Sequence, residues 1–301
     1  MTILGEEKVR GLLRMEELIP AMRDALRDLS AGKVKQPMRM VLPVAEHNGF
    51  FAVMPAYGGA LGAKLVTFYP NNSGIHTHHA MILLFRPETG EPLVTMDGRL
   101  ITEMRTAAVS AVATDALARA DTSVLAILGS GVQAQSHLEA LPIVRKFREV
   151  RVWSPRNSRA FCRRHDVSEA ASAEEAVRGA DVIVVATAAT TPVLMGEWLS
   201  PGVHINAVGA TRPTWRELDD EALRKARIYV ESREAATKES GDIIAAGQIF
   251  AEIGEVVAGS KTGRESDGEI TLFKSVGVAV EDIVAADLVY RKGKTFSELD
   301  I

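Results

Sequence analysis

Apolar and polar positions follow two different rules along this chain. In the N-terminal part, Arg14 to Leu29 sets Met15, Leu18, Met22, Ala25, Leu26 and Leu29 at helical spacing, which predicts an amphipathic helix closing near Ala31-Gly32. The stretch KQPMRMVLPV after it, with Pro37 and Pro43, reads as extended. Short β-patterned runs with glycine turns come next, at Phe50 to Met54 and Ala63 to Phe68, and the runs Met81 to Phe85 and Pro92 to Met96 flank the turn PETGE as a hairpin. These elements predict an α+β region with antiparallel strands. After the alanine-rich helical pattern Glu103 to Ala120 the rule changes. Apolar runs at Val124 to Leu128, Val150 to Trp153, Asp181 to Thr187, His204 to Val208, Arg227 to Val230 and Thr271 to Phe273 now alternate with helical segments. Such alternation predicts an α/β fold, a Rossmann-type doubly wound parallel sheet. A last helical segment, Ala279 to Tyr290, carries Val280, Ile283, Val284 and Leu288 on one face. Packed back on the first region, it would make that domain discontinuous.

The stretch VLAILGSGVQAQ joins these regimes to chemistry. A buried strand stops at Gly129, Gly131 and Ala134 complete the spacing G-x-G-x-x-A, and a helical segment, Gln135 to Val144, follows. Gly129 permits the turn, Gly131 lets backbone N–H groups approach a pyrophosphate, and Ala134 allows close helix-to-strand packing. At the end of the next strand, EVRVW, an NAD-binding domain usually carries Asp or Glu for the ribose 2′-hydroxyl. This chain has Ser154 there, followed by Arg156 and Arg159. A hydroxyl and guanidinium groups suit a 2′-phosphate, so NADP(H) is expected in preference to NAD(H). Arg163 and Arg164 read as the solvated face of the following helix.

With 301 residues the chain can hold two domains, and 47% hydrophobic with 25% charged residues is an ordinary soluble composition. A net charge of −4 with no basic block argues against nucleic acid as partner. No apolar stretch has the length of a signal peptide or a membrane span, and the single Cys162 cannot form an internal disulfide, so a cytoplasmic location is expected.

Three cations in the first region stand out. Lys64 opens the apolar run KLVTFYP, Arg105 sits inside ITEMRTAAVSA, and Arg39 lies in the extended stretch. Cations flanked by apolar residues need anionic partners, and brought together these three would make a carboxylate-binding site. His76, His78 and His79 lack a Cys or carboxylate to complete a ligand set, so no metal is expected; a structural role, or a cofactor contact from Thr77, fits better. Thr187 and Gly209 to Thr211 close strands at the carboxyl edge where ligands bind in such sheets, and Glu239 and Lys274 are further candidates.

The stretches KLVTFYP, MDGRLITEMRTAAVSA, LGSGVQAQSH, GATRPTWRELDDE, EAATKESGDII and LFKSVGVAVED together resemble the ornithine cyclodeaminase and mu-crystallin family over nearly the whole chain. The resemblance implies a homodimer with a substrate-binding and dimerisation domain built from residues 1–112 and 279–301, and a dinucleotide-binding domain over residues 113–278. It implies that Arg39, Lys64 and Arg105 hold the substrate carboxylate and neighbouring groups. It further implies that Thr77, Ser130, Val132, Gln133, Thr187, Lys274 and Ser275 contact the cofactor, and that Glu239 is a site glutamate. Arg105, Gly129, Gly131, Ser154, Arg156, Arg159 and Thr211 complete the expected cofactor set. Ornithine cyclodeaminases carry an aspartate where this chain has Thr211, and a threonine is no carboxylate base near neutral pH. The expected activity is therefore reduction of cyclic ketimine acids, pyrroline- or piperideine-2-carboxylate to L-proline or L-pipecolate. The alternatives are an alanine-dehydrogenase-like activity, ornithine cyclodeamination, and a non-catalytic NADPH-binding carrier.

Overall fold

The computed structural model describes residues 2–299, with side chains described through residue 294; residues 1, 300 and 301 of the expected substrate domain lie outside the described residues. The chain divides into two units, residues 1–105 with 278–301, and residues 106–277.

The first unit opens with β1 (Thr2–Leu4), α1 (Glu6–Leu12) and α2 (Met15–Ser30). In α2 the spacing read from the sequence buries Met15, Leu18, Met22, Ala25 and Leu26, joined by Ile19. Strands β2 (Met40–Val44), β3 (Gly49–Tyr57), β4 (Leu61–Phe68), β5 (His78–Phe85) and β6 (Pro92–Asp97) form an antiparallel meander, and β1 adds to β6 in parallel, giving the order β1-β6-β5-β4-β3-β2. Period-2 alternation puts Met54, Lys64, Ile82 and Met96 in one row across the sheet. That row belongs to the buried face, so the fold places an ammonium group among apolar neighbours. Helix α3 (Arg99–Leu117) follows β6 directly, because Asp97 Oδ1 accepts from the Arg99 N–H at 3.0 Å and so starts the helix before the expected Glu103.

In the second unit β7 (Val124–Leu128), α4 (Val132–Val144), β8 (Glu149–Trp153), α5 (Ser158–His165), β9 (Ser168–Glu169), α6 (Ala173–Val177), β10 (Val182–Val185) and β11 (His204–Ala207) alternate as expected. Then come α7 (Asp220–Lys225), β12 (Ala226–Val230), α8 (Arg233–Glu239), α9 (Gly241–Ala246), β13 (Ala251–Glu252), α10 (Ile253–Val257) and β14 (Ile270–Lys274). Every pairing is parallel and the order is β13-β12-β14-β11-β10-β7-β8-β9. The direction of winding reverses between β7 and β10, which makes the carboxyl ends of those strands the switch point where such sheets take ligands. The C-terminal carbonyls of α3 are satisfied by arginines of this unit: Arg145 Nη2 donates to Asp115 O at 2.8 Å and Arg264 Nε to Leu117 O at 2.7 Å.

The last helix, α11 (Ala279–Leu299), belongs to the first unit and packs on α2, β3, β4 and β5. Gly62 allows that approach: a Cβ there would stand 3.0 Å from Ile283 Cδ1 and 2.4 Å from Leu83 O. Among the described residues no helix is long and apolar enough to cross a membrane.

Candidate active site

The buried row of the first sheet and the first turn of α11 build a compact ion network. Lys64 Nζ lies 2.6 Å from Asp282 Oδ2, with the two side chains 3% and 0% exposed. Arg105 reaches the same carboxylate, Nε to Asp282 Oδ1 at 3.0 Å, and its Nη1 donates to Glu281 Oε2 at 2.7 Å. Glu281 also accepts from the Val278 N–H at 3.2 Å. Both carboxylates sit in the N-terminal turn of a helix, where the macrodipole favours negative charge. Charges this deep persist only if they are paired, and removing one partner of a buried pair costs about 3–5 kcal/mol.

Burial pulls the Lys64 pKa down to about 8; Asp282 works to raise it, while the charges of Arg105 and Arg39 lower it further. Burial works to raise the Asp282 carboxyl, but Arg105 and Lys64 together hold it below the usual carboxylate range. His78, at the start of β5, is pushed to about 4 by burial and by the charge of Lys64, so it is a neutral imidazole at pH 7. The three cations singled out in the sequence thus act on one another, and Lys64 is the member poised to exchange a proton near neutrality.

In the second unit the glycine loop takes the shape its sequence implies. Gly129 has φ +127°, and a Cβ there would fall 2.3 Å from Ala186 O. Gly131 caps α4 with no side-chain hydrogen bond, and a Cβ on it would meet nothing within 4 Å. Nothing in the chain itself therefore demands glycine at 131, whereas a phosphate approaching the bare N–H groups of the helix would. The Gln133 side-chain oxygen is buried without a hydrogen-bond partner among the described residues, and Ala134 is fully buried. A dinucleotide fits this cradle. Ser130 and Ser154 both donate to Arg156 O, at 3.0 and 2.7 Å, tying the loop after β8 to the glycine loop and leaving the Arg156 side chain exposed. Arg159 turns to Glu169 at 3.4 Å with 75% of its side chain exposed, so it is shared with a carboxylate.

The carboxyl edge of this sheet is held by buried acids that the sequence reading passed over. Glu217 Oε1 accepts from the Thr187 N–H and hydroxyl at 2.8 and 2.7 Å, and Oε2 from the Gly209 and Ala210 N–H groups at 2.8 and 2.9 Å. Burial pushes its carboxyl up despite Lys274 and these donors. Lys274 Nζ stands 3.4 Å from Asp242 Oδ2 and 3.9 Å from Glu217 Oε2, with no exposed surface. Glu231, fully buried at the strand end beside it, accepts from Ser275 Oγ at 2.5 Å and from the Val276 and Gly277 N–H groups.

A family model described as the Ornithine cyclodeaminase/mu-crystallin family matches residues 1–295. The chain belongs to this family. The mouse ketimine reductase mu-crystallin is 52% identical over 301 residues, spanning 95% of this chain and 96% of that protein. The structure of Thermococcus litoralis Delta(1)-pyrroline-2-carboxylate reductase in complex with NADH and L-proline superposes with a TM-score of 0.95 at 41% identity, covering 99% of this chain and 98% of that one. An archaeal alanine dehydrogenase dimer with bound NAD gives a TM-score of 0.93 at 38% identity, covering 99% and 97%.

For this member of the ornithine cyclodeaminase/mu-crystallin family the structure sorts the expected site residues. Arg39, Lys64, Thr77 and Arg105 lie in the first unit, and the first, second and fourth are linked by charge as described. Ser130, Val132, Ser154, Arg156 and Thr211 lie at least partly exposed in the second unit, and Glu239 ends α8 half-buried. Thr187, Lys274 and Ser275, expected as cofactor contacts, turn their polar atoms to Glu217, Asp242 and Glu231, and Lys274 and Ser275 are buried as whole residues. The acids Glu231, Asp242, Glu281 and Asp282 each stand in or beside an apolar run, the same signal that marked Lys64 and Arg105, whereas Glu217 lies in the polar stretch TWRELDDE and carries no such signal.

The two loop glycines make a paired prediction. Gly129→Ala should lower unfolding free energy by roughly 2–4 kcal/mol, combining a strained backbone with a backbone overlap. Gly131→Ala should leave the thermal midpoint nearly unchanged but weaken dinucleotide binding by about tenfold or more, a loss on the order of 1.4 kcal/mol. Thermal unfolding and a dinucleotide fluorescence titration on both variants check this.

Proposed function

We propose that this chain is an NAD(P)H-dependent reductase of cyclic ketimine amino acids, converting pyrroline-2-carboxylate or piperideine-2-carboxylate to L-proline or L-pipecolate. The observation that carries this reading is the Lys64 ammonium, buried against Asp282 and within reach of the charges of Arg105 and Arg39, with its pKa lowered to about 8. In this reading the guanidinium groups of Arg39 and Arg105 hold the substrate carboxylate, which fixes the C=N bond in place. Lys64 gives its proton to the imine nitrogen, making the adjacent carbon electrophilic and leaving a neutral secondary amine in the product. A nicotinamide, when bound, would supply the hydride to that carbon. Asp282 remains ionised throughout, since Arg105 stays charged beside it.

Ser154 in place of an acidic residue, with exposed Arg156 next to it, favours NADPH over NADH. The dimer expected for the family would use the free edge of β2, where Met40, Val41 and Leu42 are 64%, 49% and 59% exposed. A cytoplasmic site of action accords with the lone Cys162. An alanine-dehydrogenase-like reading, with pyruvate and ammonia forming the imine in the site, draws on the archaeal neighbour and uses the same residues. Comparing NADPH oxidation with pyrroline-2-carboxylate against pyruvate plus ammonia separates the two; faster turnover of the latter would overturn our choice.

Two outcomes follow from the roles assigned. Lys64→Met should lower kcat with pyrroline-2-carboxylate by about 10²-fold or more while dinucleotide affinity changes less than about twofold; equal losses in both would contradict the proton-donor role. Ser154→Asp should cut the ratio of kcat/KM for NADPH over NADH by about tenfold or more through repulsion of the 2′-phosphate, and an unchanged ratio would mean the 2′ position is read elsewhere.

A further inference from the structure

We propose that Asp282 is a positioning residue of the reduction, the shared buried counter-ion that sets the separation of Lys64 and Arg105 and keeps the Lys64 proton in place until substrate takes it. The inference rests on the ketimine reductase reading for its catalytic consequence, and on the first unit alone for its geometry.

Three features single out this carboxylate. Asp282 uses one oxygen for each cation, Oδ2 for Lys64 at 2.6 Å and Oδ1 for Arg105 Nε at 3.0 Å, so a single rigid group spans both. Glu281, its neighbour on α11, pairs with Arg105 and accepts from the Val278 N–H, whereas the 2.6 Å ion pair of Lys64 is made with Asp282. Asp282 has no exposed surface, and it lies on a helix packed over β3, β4 and β5, so its placement is fixed by the fold.

The charges around Lys64 determine what happens when this carboxylate is removed. Facing it are Asp282 from α11, Arg105 from α3, Arg39 from the segment before β2, and the neutral imidazole of His78 on β5. A guanidinium does not give up its proton in a protein, so with Asp282 neutralised the excess positive charge can be relieved only at the ammonium. Lys64 would then surrender its proton to solvent before substrate arrives, and the lysine side chain would lose the contact that aims it. An opposite charge at this range moves a pKa by about one to three units, which is the scale of the loss.

The test is Asp282→Asn in the full-length protein with bound NADP+. The Lys64 ionisation is followed by 13C NMR of ε-labelled lysine, with the resonance assigned by its absence in Lys64→Arg. The midpoint should fall by about one to three pH units below the wild-type value, and the alkaline limb of kcat for pyrroline-2-carboxylate should move down with it. With a two-unit shift the protonated fraction at pH 8 drops about fiftyfold, and kcat should follow. Asp282→Glu, which restores the charge, should return the midpoint towards wild type. Asp282→Ser, small and neutral, asks the same question if the asparagine variant does not fold, and should shift the midpoint as asparagine does. A folded, NADP+-binding neutral variant whose Lys64 midpoint stays at the wild-type value overturns the proposal. Absence of ketimine turnover by the wild type would instead sink the functional reading, while the NMR midpoint would still decide the role of Asp282.

Discussion

Everything in the first unit depends on one constraint: an ammonium and a guanidinium are buried beneath a sheet and must be neutralised there. β4 alternation commits Lys64 to the buried row, and α3 brings Arg105 beside it. Neither carries its own counter-ion. The acids come from Glu281 and Asp282, far along the chain, and only if the terminal helix returns to the first unit. The discontinuity of that unit is thus a chemical requirement as well as a packing outcome. Its apolar contacts would tolerate another helix, but its charges would not.

The second unit uses buried carboxylates in a different way. Glu217 and Glu231 accept mainly from main-chain N–H groups and hydroxyls, so they fasten the loops at the ends of β10, β11 and β14, the carboxyl edge of the sheet. Gly209 reflects the same closeness, since a Cβ there would fall 2.3 Å from Glu217 Oε1. In the first unit the acids face side-chain cations, one of which can lose a proton. One set of carboxylates makes the molecule rigid, and the other makes it titratable. A reductase that adds a hydride and a proton needs both properties.

Periodicity made the architecture legible: helical spacing in α2, the hairpin of β5 and β6, and alternating strands and helices from β7 onwards were all readable because local patterning and tertiary burial agree there. Lys64 and Arg105 were readable for the opposite reason, as charges out of keeping with their apolar surroundings. What the sequence did not disclose was direction and partnership. Thr187, Lys274 and Ser275 stand at the expected strand ends, yet their polar atoms point inward, a choice made by acids tens of residues away. Asp282 was hidden in a helix read for its apolar face, and its partners are set by long-range packing that no local pattern encodes. The three residues of β1 are likewise too few to show a period, and they become a strand only because β6 offers an edge.

The central claim is that a buried lysine, held by an aspartate and flanked by guanidinium groups, delivers the proton that accompanies hydride addition. It is tested most directly by single-turnover oxidation of NADPH with pyrroline-2-carboxylate, followed across a pH range bracketing 8 in the wild type and in Lys64→Arg. The account predicts a wild-type rate that falls as pH rises through about 8, and a slow rate without that break in the arginine variant, whose side chain keeps its charge and its proton. A break at the same pH in both proteins would assign the proton to another group and contradict the account.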